Sequence, residues 1–356
     1  MMKNDQIIIQ EDVLQVERRE KIIDEMERTK WKRYWAQVKK DWALYLMLIP
    51  VIMFFFLVRY LPISGILVAF KNYDNALAIG DQDFYGFFAL KNLMFSDQTR
   101  TVEFWRAFRN TFSISMYGLI FGFPIPIILA LFFSEIKNEL YRSITQILSY
   151  LPNFISMVVI TSIVSLMLAG GNQSGTVAPG VITQLLINLG VVEQGVNIRI
   201  EPEYFRSIYI ISDIWQGAGY GSIVYFAAIM GINPVSYEAA RIDGANKLAQ
   251  IRYVTLPGMA PTLTIMLILR IGSVLSVGFE KVLLLYDVQN YSTSDVLSTY
   301  VIRLGSLMSG GGASGGGSQI SVSFAGAADL FNSLIAMMLV LGANFVSRRV
   351  SETSLF

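Results

Sequence analysis

The chain has 356 residues, of which 53% are hydrophobic and 15% charged, with a formal net charge of +1. Soluble domains carry about 25% charged residues, and the apolar residues here gather into runs of roughly 20, the length that crosses the hydrocarbon core of a bilayer, so a soluble globular fold is disfavoured. Cysteine and histidine are both absent, which removes disulfides, thiol chemistry, the usual general base and the commonest metal ligand; no metal site and no nucleic-acid partner is expected.

Residues 1–41 are charged and hold no apolar run. They read as an amphipathic N-terminal extension lying on the cytoplasmic face, or as a solvated one, with Trp31, Tyr34, Trp35 and Trp42 available for a membrane interface. Residues 42–350 read as an all-α transmembrane domain with about six spans. The first opens near Ala43 and holds Pro50 and Pro62, which predict a kink or tilt. The others are expected at about 111–133, 146–168, 208–230, 258–279 and 328–347. Residues 169–207 form an external loop with a short helix near VITQLLINLG. Residues 309–318, SGGGASGGGS, read as a flexible external tract, and 351–356 as a cytoplasmic tail.

Six spans put both termini on one side. Lys and Arg crowd residues 16–41 and recur at Lys137, Arg142, Arg241, Lys247, Arg252, Arg348 and Arg349. The positive-inside rule therefore assigns these segments, and both termini, to the cytoplasm of a cell-membrane protein.

Between the fourth and fifth spans stands YEAARIDGANKLAQIRYVTLPGMAP, residues 237–261. Asn233 and Pro234 end the fourth span, and Ser236 is placed to cap a helix beginning at Tyr237. Glu238 then falls in the first turn, where it suits the helix dipole. Ala239 and Ala240 permit close approach of another surface, and Gly244 marks a turn. The element, near 236–246, is a short cytoplasmic helix tied to spans on both sides. It holds no nucleophile or metal cluster, so it suits force transmission better than catalysis.

The stretch EAARIDGAN…VTLPGMAP resembles the EAA motif of ABC importer permeases, matching at Glu238, Ala239, Ala240, Asp243, Gly244, Ala245, Leu256 and Pro257. Ile251 stands where many members carry an aromatic residue. FFFLVRYLPISGILVAFKNYD, EYFRSIYIISDIWQGAGYGSIVYFAAIMGI, LILRIGSVLSVGFEKVLLLYD and SDVLSTYVIRLG are similar to the carbohydrate branch of that family, and look closest to its polysaccharide and complex-oligosaccharide subgroup. The resemblance implies the type I importer transmembrane fold and a coupling helix docked in a groove of an ATP-hydrolysing subunit. It implies two such ATPases that bind ATP and Mg, a second and non-identical permease, an extracellular solute-binding protein and a saccharide cargo. The chain has no G-x-x-x-x-G-K-[ST] loop, so it is not the ATPase and binds no cofactor of its own.

A sugar path needs hydrogen-bonding groups and flat apolar faces within the membrane. Asp213, Gln216, Gly217 and Tyr220 share one helix face at i, i+3, i+4 and i+7, with Trp215 beside them. Asn153 and Glu280 are further candidates. The competing reading is that these groups only join helices. Arg270 lies well inside the fifth span, where an arginine costs about 2.5–3.5 kcal/mol. Depth counted at 1.5 Å per residue puts it within about one turn of Asp213, so it is expected to pair with Asp213 or with a carboxylate of the partner permease. An ABC permease for a non-sugar solute is the alternative; a secondary transporter would want internal repeats, and a membrane enzyme would want intramembrane catalytic groups.

Overall fold

A computed structural model describes residues 32, 34–72, 81–96, 98–171, 178–304 and 320–350. The expected tract at 309–318, the tail at 351–356 and most of the extension at 1–41 lie outside the described residues. Those described are helical apart from short turns and an isolated antiparallel bridge between Lys71 and Phe84. Three helices are long and apolar enough to cross a membrane, and up to six if each bent pair counts as one span.

The chain divides into two compact units, the first ending at Gly65 and the second beginning at Ile66. In the first, residues 34–40 are helical, and helix α1, Trp42–Phe55, follows with Pro50 inside it and no buried residue. A helix apolar all round requires lipid or another protein around it. Past α1 the helix changes type rather than simply bending, to a π turn at Phe56–Tyr60 and then 3₁₀ turns from Leu61.

The second unit is built on α2 (Gln98–Gly122), α3 (Pro124–Glu135), α4 (Glu139–Tyr150), α5 (Met157–Met167), α6 (Val181–Asn188) and α7 (Pro202–Met230). There follow α8 (Pro234–Ile242), α9 (Lys247–Gln250), α10 (Ala260–Gly272), α11 (Phe279–Leu285), α12 (Leu297–Leu304) and α13 (Ile320–Val350). The long α7 is the spine, and α3 is its most extensive neighbour. Two apolar clusters follow one another along it, and a third lies apart from it on α2. Ala130, Tyr225, Ile229 and Met259 join α3, α7 and the approach to α10. Ile114, Phe205, Ile210 and Val282 join α2, α7 and α11. Phe104, Leu297, Tyr300 and Phe324 join α2, α12 and α13. Gly219 lets α4 come onto the spine at backbone distance, since a Cβ there would meet the Ser149 carbonyl oxygen at 1.9 Å.

Several expected boundaries move. The helix that carries the second span begins well before 111, at Gln98, because Arg100, Glu103, Arg106 and Arg109 depress the apolar signal while the fold pairs Glu103 with Arg303 and Arg106 with Asp295 and sets Arg100 over the Phe324 ring. The third is not continuous. Glu139–Phe154 and Met157–Met167 meet at 97°, because Pro152 sits in a 3₁₀ turn and Ser156 caps a new helix, its hydroxyl accepting from the Val159 N–H at 3.4 Å. The fifth bends by 67° at Met259 and ends at Gly272.

At the end of the spine away from α8, one buried carboxylate organises four elements. Asp295 is 1% exposed. It accepts from the Arg303 Nη2 at 2.8 Å and the Thr299 hydroxyl at 2.9 Å, and Arg106 stands 3.8 Å away. Its backbone carbonyl accepts from the Asn110 side chain at 3.0 Å, and Asn110 in turn accepts from Arg206 at 3.0 Å. The Thr111 hydroxyl accepts from the Leu297 N–H at 2.8 Å. Burial, the main cause, pushes the neighbouring Tyr300 phenol up to about 12, so it stays a neutral donor. Removing a buried charge that holds two cations costs about 3–5 kcal/mol. Asp295→Ala is therefore expected to lower the thermal midpoint of the purified complex by at least about 5 °C, with Asp295→Asn losing less; an unchanged midpoint in both would show that the network does not hold these helices.

Candidate functional site: an exposed helical clamp and a charged intramembrane cavity

The first site is the linker between α7 and α10. It departs from α7 at 70°. The cap of α8 is Asn233, not Ser236: its side chain accepts from the Val235 N–H at 3.0 Å, and Pro234 occupies the first turn. Proline suits that position because its missing N–H would be unpaired anyway. This places Glu238 in the second turn instead of the first, and leaves it exposed.

The C-terminus of α8 closes as a Schellman turn. The Gly244 N–H donates to the Arg241 carbonyl at 3.1 Å, and the Ala245 N–H to the Ala240 carbonyl at 2.9 Å. Asp243 is the C-cap, and Gly244 has φ of +80°, the left-handed conformation such a turn demands. Ala239 is exposed and Ala240 half-buried. Asn246 then caps α9 by accepting from the Ala249 N–H at 2.9 Å. A π turn at Ile251–Thr255 leads to Leu256 and Pro257, which lie at the base of the span and not on α8.

Residues that sequence reasoning passed over brace this linker. The Tyr237 and Thr255 hydroxyls share a hydrogen bond at 3.1 Å. Lys247 forms an ion pair with Glu135 at the end of α3. The Gln250 side chain donates to the Ala245 carbonyl at 2.9 Å. Only the alternation of polar groups with apolar ones hinted at them. The outer surface carries Val235 at 62%, Ile242 at 87% and Leu248 at 77% exposure, an apolar set with no cover from the described residues.

The second site lies between α2–α3, α7 and α10. One cavity of about 340 Å³ is lined by Gly122, Phe123, Pro126, Asp213, Gly217, Tyr225, Arg270 and Ser273 among others. A neighbouring one of about 390 Å³ is lined by Ser115, Tyr209, Glu280 and Lys281. Asp213, Arg270 and Ser273 line both. Of the expected path residues, the fold thus gathers Asp213 and Glu280, with the intramembrane Arg270 beside them. Trp215, Gln216, Tyr220 and Asn153 line neither cavity. The cavity face of α7 runs through 213, 214, 217, 218 and 221; at about 100° per residue 216 falls outside it, while Tyr220, nearly in line with Asp213 two turns on, lies at its edge and meets Phe154 instead. Tyr220 stacks edge-on to Phe154 at 6.0 Å, and Trp215 is exposed.

The expected Arg270–Asp213 pair does not form in this structure. Asp213 pairs with Lys281, whose Nζ lies 3.3 Å from Oδ1. The same ammonium donates to the Tyr209 carbonyl at 3.2 Å and stands 4.7 Å from the Tyr209 ring centroid. Lys281 is 2% exposed. Lys281 reaches Asp213 from α11, whereas the Arg270 guanidinium extends across the cavity to the Gly118–Gly122 face of α2. A lone lysine in the apolar run FEKVLLLY was the signal that could have revealed it.

A helical chain whose broken spans enclose a polar cavity at one level and present a braced, exposed helix at another is a membrane transport permease. The chain belongs to the family of binding-protein-dependent transport system inner membrane components, whose model matches residues 122–279. It is 33% identical over 321 residues to Protein LplB of Bacillus subtilis (strain 168), covering 90% of this chain and 93% of the relative. It is 32% identical over 331 residues to the polygalacturonan/rhamnogalacturonan transport system permease protein YteP of the same organism, covering 92% and 95%. Among solved structures, it resembles a chain of a bacterial ABC transporter involved in the import of the acidic polysaccharide alginate. That likeness has 39% identity and a TM-score of 0.75, over 90% of this chain and 99% of the other. The same values hold for that transporter in complex with an alginate pentasaccharide-bound periplasmic protein. The chain is the permease subunit of an ABC importer and not an enzyme, with the EAA motif on α8 and the turn after it.

Breaking the Lys281–Asp213 pair from the lysine side leaves a carboxylate half-buried without its donor, a loss of about 1–3 kcal/mol. Lys281→Met is expected to destabilise the assembled complex in a thermal melt, and Lys281→Met with Asp213→Asn to recover part of the loss. Strictly additive losses would show that the two side chains are not coupled.

Proposed function

We propose that the chain moves an oligosaccharide or polysaccharide fragment from an extracellular solute-binding protein into the cytoplasm by alternating access driven by partner ATPases. The observation that carries this reading is the match along nine-tenths of the chain to a polygalacturonan/rhamnogalacturonan permease and to a chain of an alginate importer. Two ATPase subunits bind ATP and Mg and hydrolyse the nucleotide. A second, non-identical permease completes the pore. Both termini and α8 face the cytoplasm.

Under this reading α8 is the coupling helix. Glu238, Ala239, Ala240, Asp243, Gly244 and Ala245 shape the part that seats in the ATPase groove, and Leu256 and Pro257 fix its return into the span. The exposed Val235, Ile242 and Leu248 are then covered by the ATPase. Asp213, Arg270 and Glu280 line the intramembrane cavity. Trp215, Gln216, Tyr220 and Asn153 lie off it, where Trp215 and Tyr220 offer flat faces to pyranose rings at the boundary with the second permease. An importer permease for a non-sugar solute is the alternative.

The Schellman turn tests the coupling assignment. A β-branched residue is strained at φ of +80°, whereas asparagine visits that region readily. Gly244→Val is expected to abolish uptake while membrane insertion persists, and Gly244→Asn to keep most of it. Unchanged uptake and ATPase co-purification in Gly244→Val would exclude docking through this turn. The transport assignment is tested in proteoliposomes holding the assembled complex: uptake of a labelled oligosaccharide is expected to require both ATP and the binding protein, and uptake that persists without ATP would refute it.

A further inference from the structure

The cavity between α7 and α10 contains a charge that no group among the described residues pairs with. Arg270 forms no ion pair and its guanidinium has no hydrogen-bond acceptor among the described residues, although Asp213 lines the same two cavities. Asp213 is already held by Lys281, which is buried and lines only the larger cavity. Glu280 also lines only the larger one. With Asp213 balanced by Lys281, the smaller cavity is left with the formal charge of Arg270 alone.

The position of the guanidinium is built. Its Nη2 lies 3.8 Å from where a Cβ on Gly118 would stand and 3.9 Å from the same point on Gly122. These two residues, four apart on one face of α2, leave room for the arginine to extend across the cavity. Ile210 and Ile214 of α7 pass beside the same two points. The fold therefore holds a planar five-donor fork against an apolar wall and aims it at open space. Leaving such a group unpaired at mid-membrane is costly, which the fold tolerates where the group faces water or a ligand. A planar fork of this kind matches a carboxylate through two parallel hydrogen bonds.

Resting on the saccharide-import reading above, we propose that Arg270 receives the carboxylate of a uronate residue in the smaller cavity, and that the importer selects acidic over neutral oligosaccharides there. The Lys281–Asp213 pair serves this by keeping Asp213 from quenching the arginine. Glu280 sets the side from which an anion is repelled, so the carboxylate seats toward Phe123 and Tyr225 and not toward α11.

The test uses the complete importer with its own partner subunits and binding protein, in liposomes. Trimers of galacturonate, mannuronate and guluronate are compared with the galacturonate trimethyl ester and with neutral galactose, mannose and glucose trimers, each at concentrations saturating the binding protein. Wild type is expected to import at least one uronate trimer in preference to its neutral counterpart. Arg270→Gln is expected to lower that uptake about tenfold or more, as befits loss of a bidentate charged contact, and to lower uptake of the ester and of the neutral trimers distinctly less. Arg270→Lys, which keeps the charge but not the fork, falls between them. Import of neutral trimers only, or equal loss of acid and ester in Arg270→Gln, overturns the assignment while the saccharide reading stands. Import of none of the trimers overturns both. Should Arg270→Gln fail to assemble, the wild-type ratio of acid to ester still decides.

Discussion

Inside hydrocarbon, every backbone N–H and C=O must find its partner within the protein, so a chain can leave the helix only where other protein groups or water take over. This constraint explains where the spans of this permease break. The 97° turn between α4 and α5 is closed by a 3₁₀ turn and by the Ser156 cap. The 70° departure of α8 is closed by Asn233, and the bend before α10 follows a π turn whose last residue, Thr255, donates to the Gln250 carbonyl at 3.4 Å. Each break is accompanied by a side chain or a tightened helical turn that takes up freed backbone groups. The unbroken α7 is what allows its neighbours to be broken.

Charge is handled by the same economy at both ends of the spine. Asp295 gathers arginines from α2 and α12 into a site 1% exposed, and Lys281 is buried against Asp213 and the Tyr209 ring. Both pairs have extra hydrogen bonds beyond the ionic contact, the condition under which burial of opposite charges is tolerable. Arg270 differs because it lacks any such partner among the described residues, and it does so where two cavities meet.

Run length and apolar content revealed the all-helical class and the presence of several spans, because crossing a bilayer imposes a length that composition records directly. The start of α2 was hidden, since Arg100, Glu103, Arg106 and Arg109 read as loop until Asp295, almost two hundred residues away, is seen to meet Arg106. The shift from Ser236 to Asn233 as cap shows a finer limit: both are good capping residues, and the choice is made by where α7 ends. The motif at 238–257 was legible because its glycine and prolines act locally. The Lys281–Asp213 pair was not, because depth counting ranks residues by level and says nothing about which side of a helix they face. That is also why Gln216 and Tyr220 were grouped with Asp213, although the cavity face runs through Gly217 and Gly221.

The bracing of α8 has a mechanical consequence. Only Gly231, Ile232 and Asn233 separate it from α7, and the Tyr237–Thr255 bond and the Lys247–Glu135 pair fasten the return stretch at two further points. A three-residue link on one side and a hydroxyl bond on the other leave the short helix little independent swing. The short helix is therefore a stiff cross-piece: a push on it produces torque on α7 and α10 together, with little energy lost to flexing between them. Motion of one long helix without the other would have to tear an attachment, so the two travel in a single concerted step.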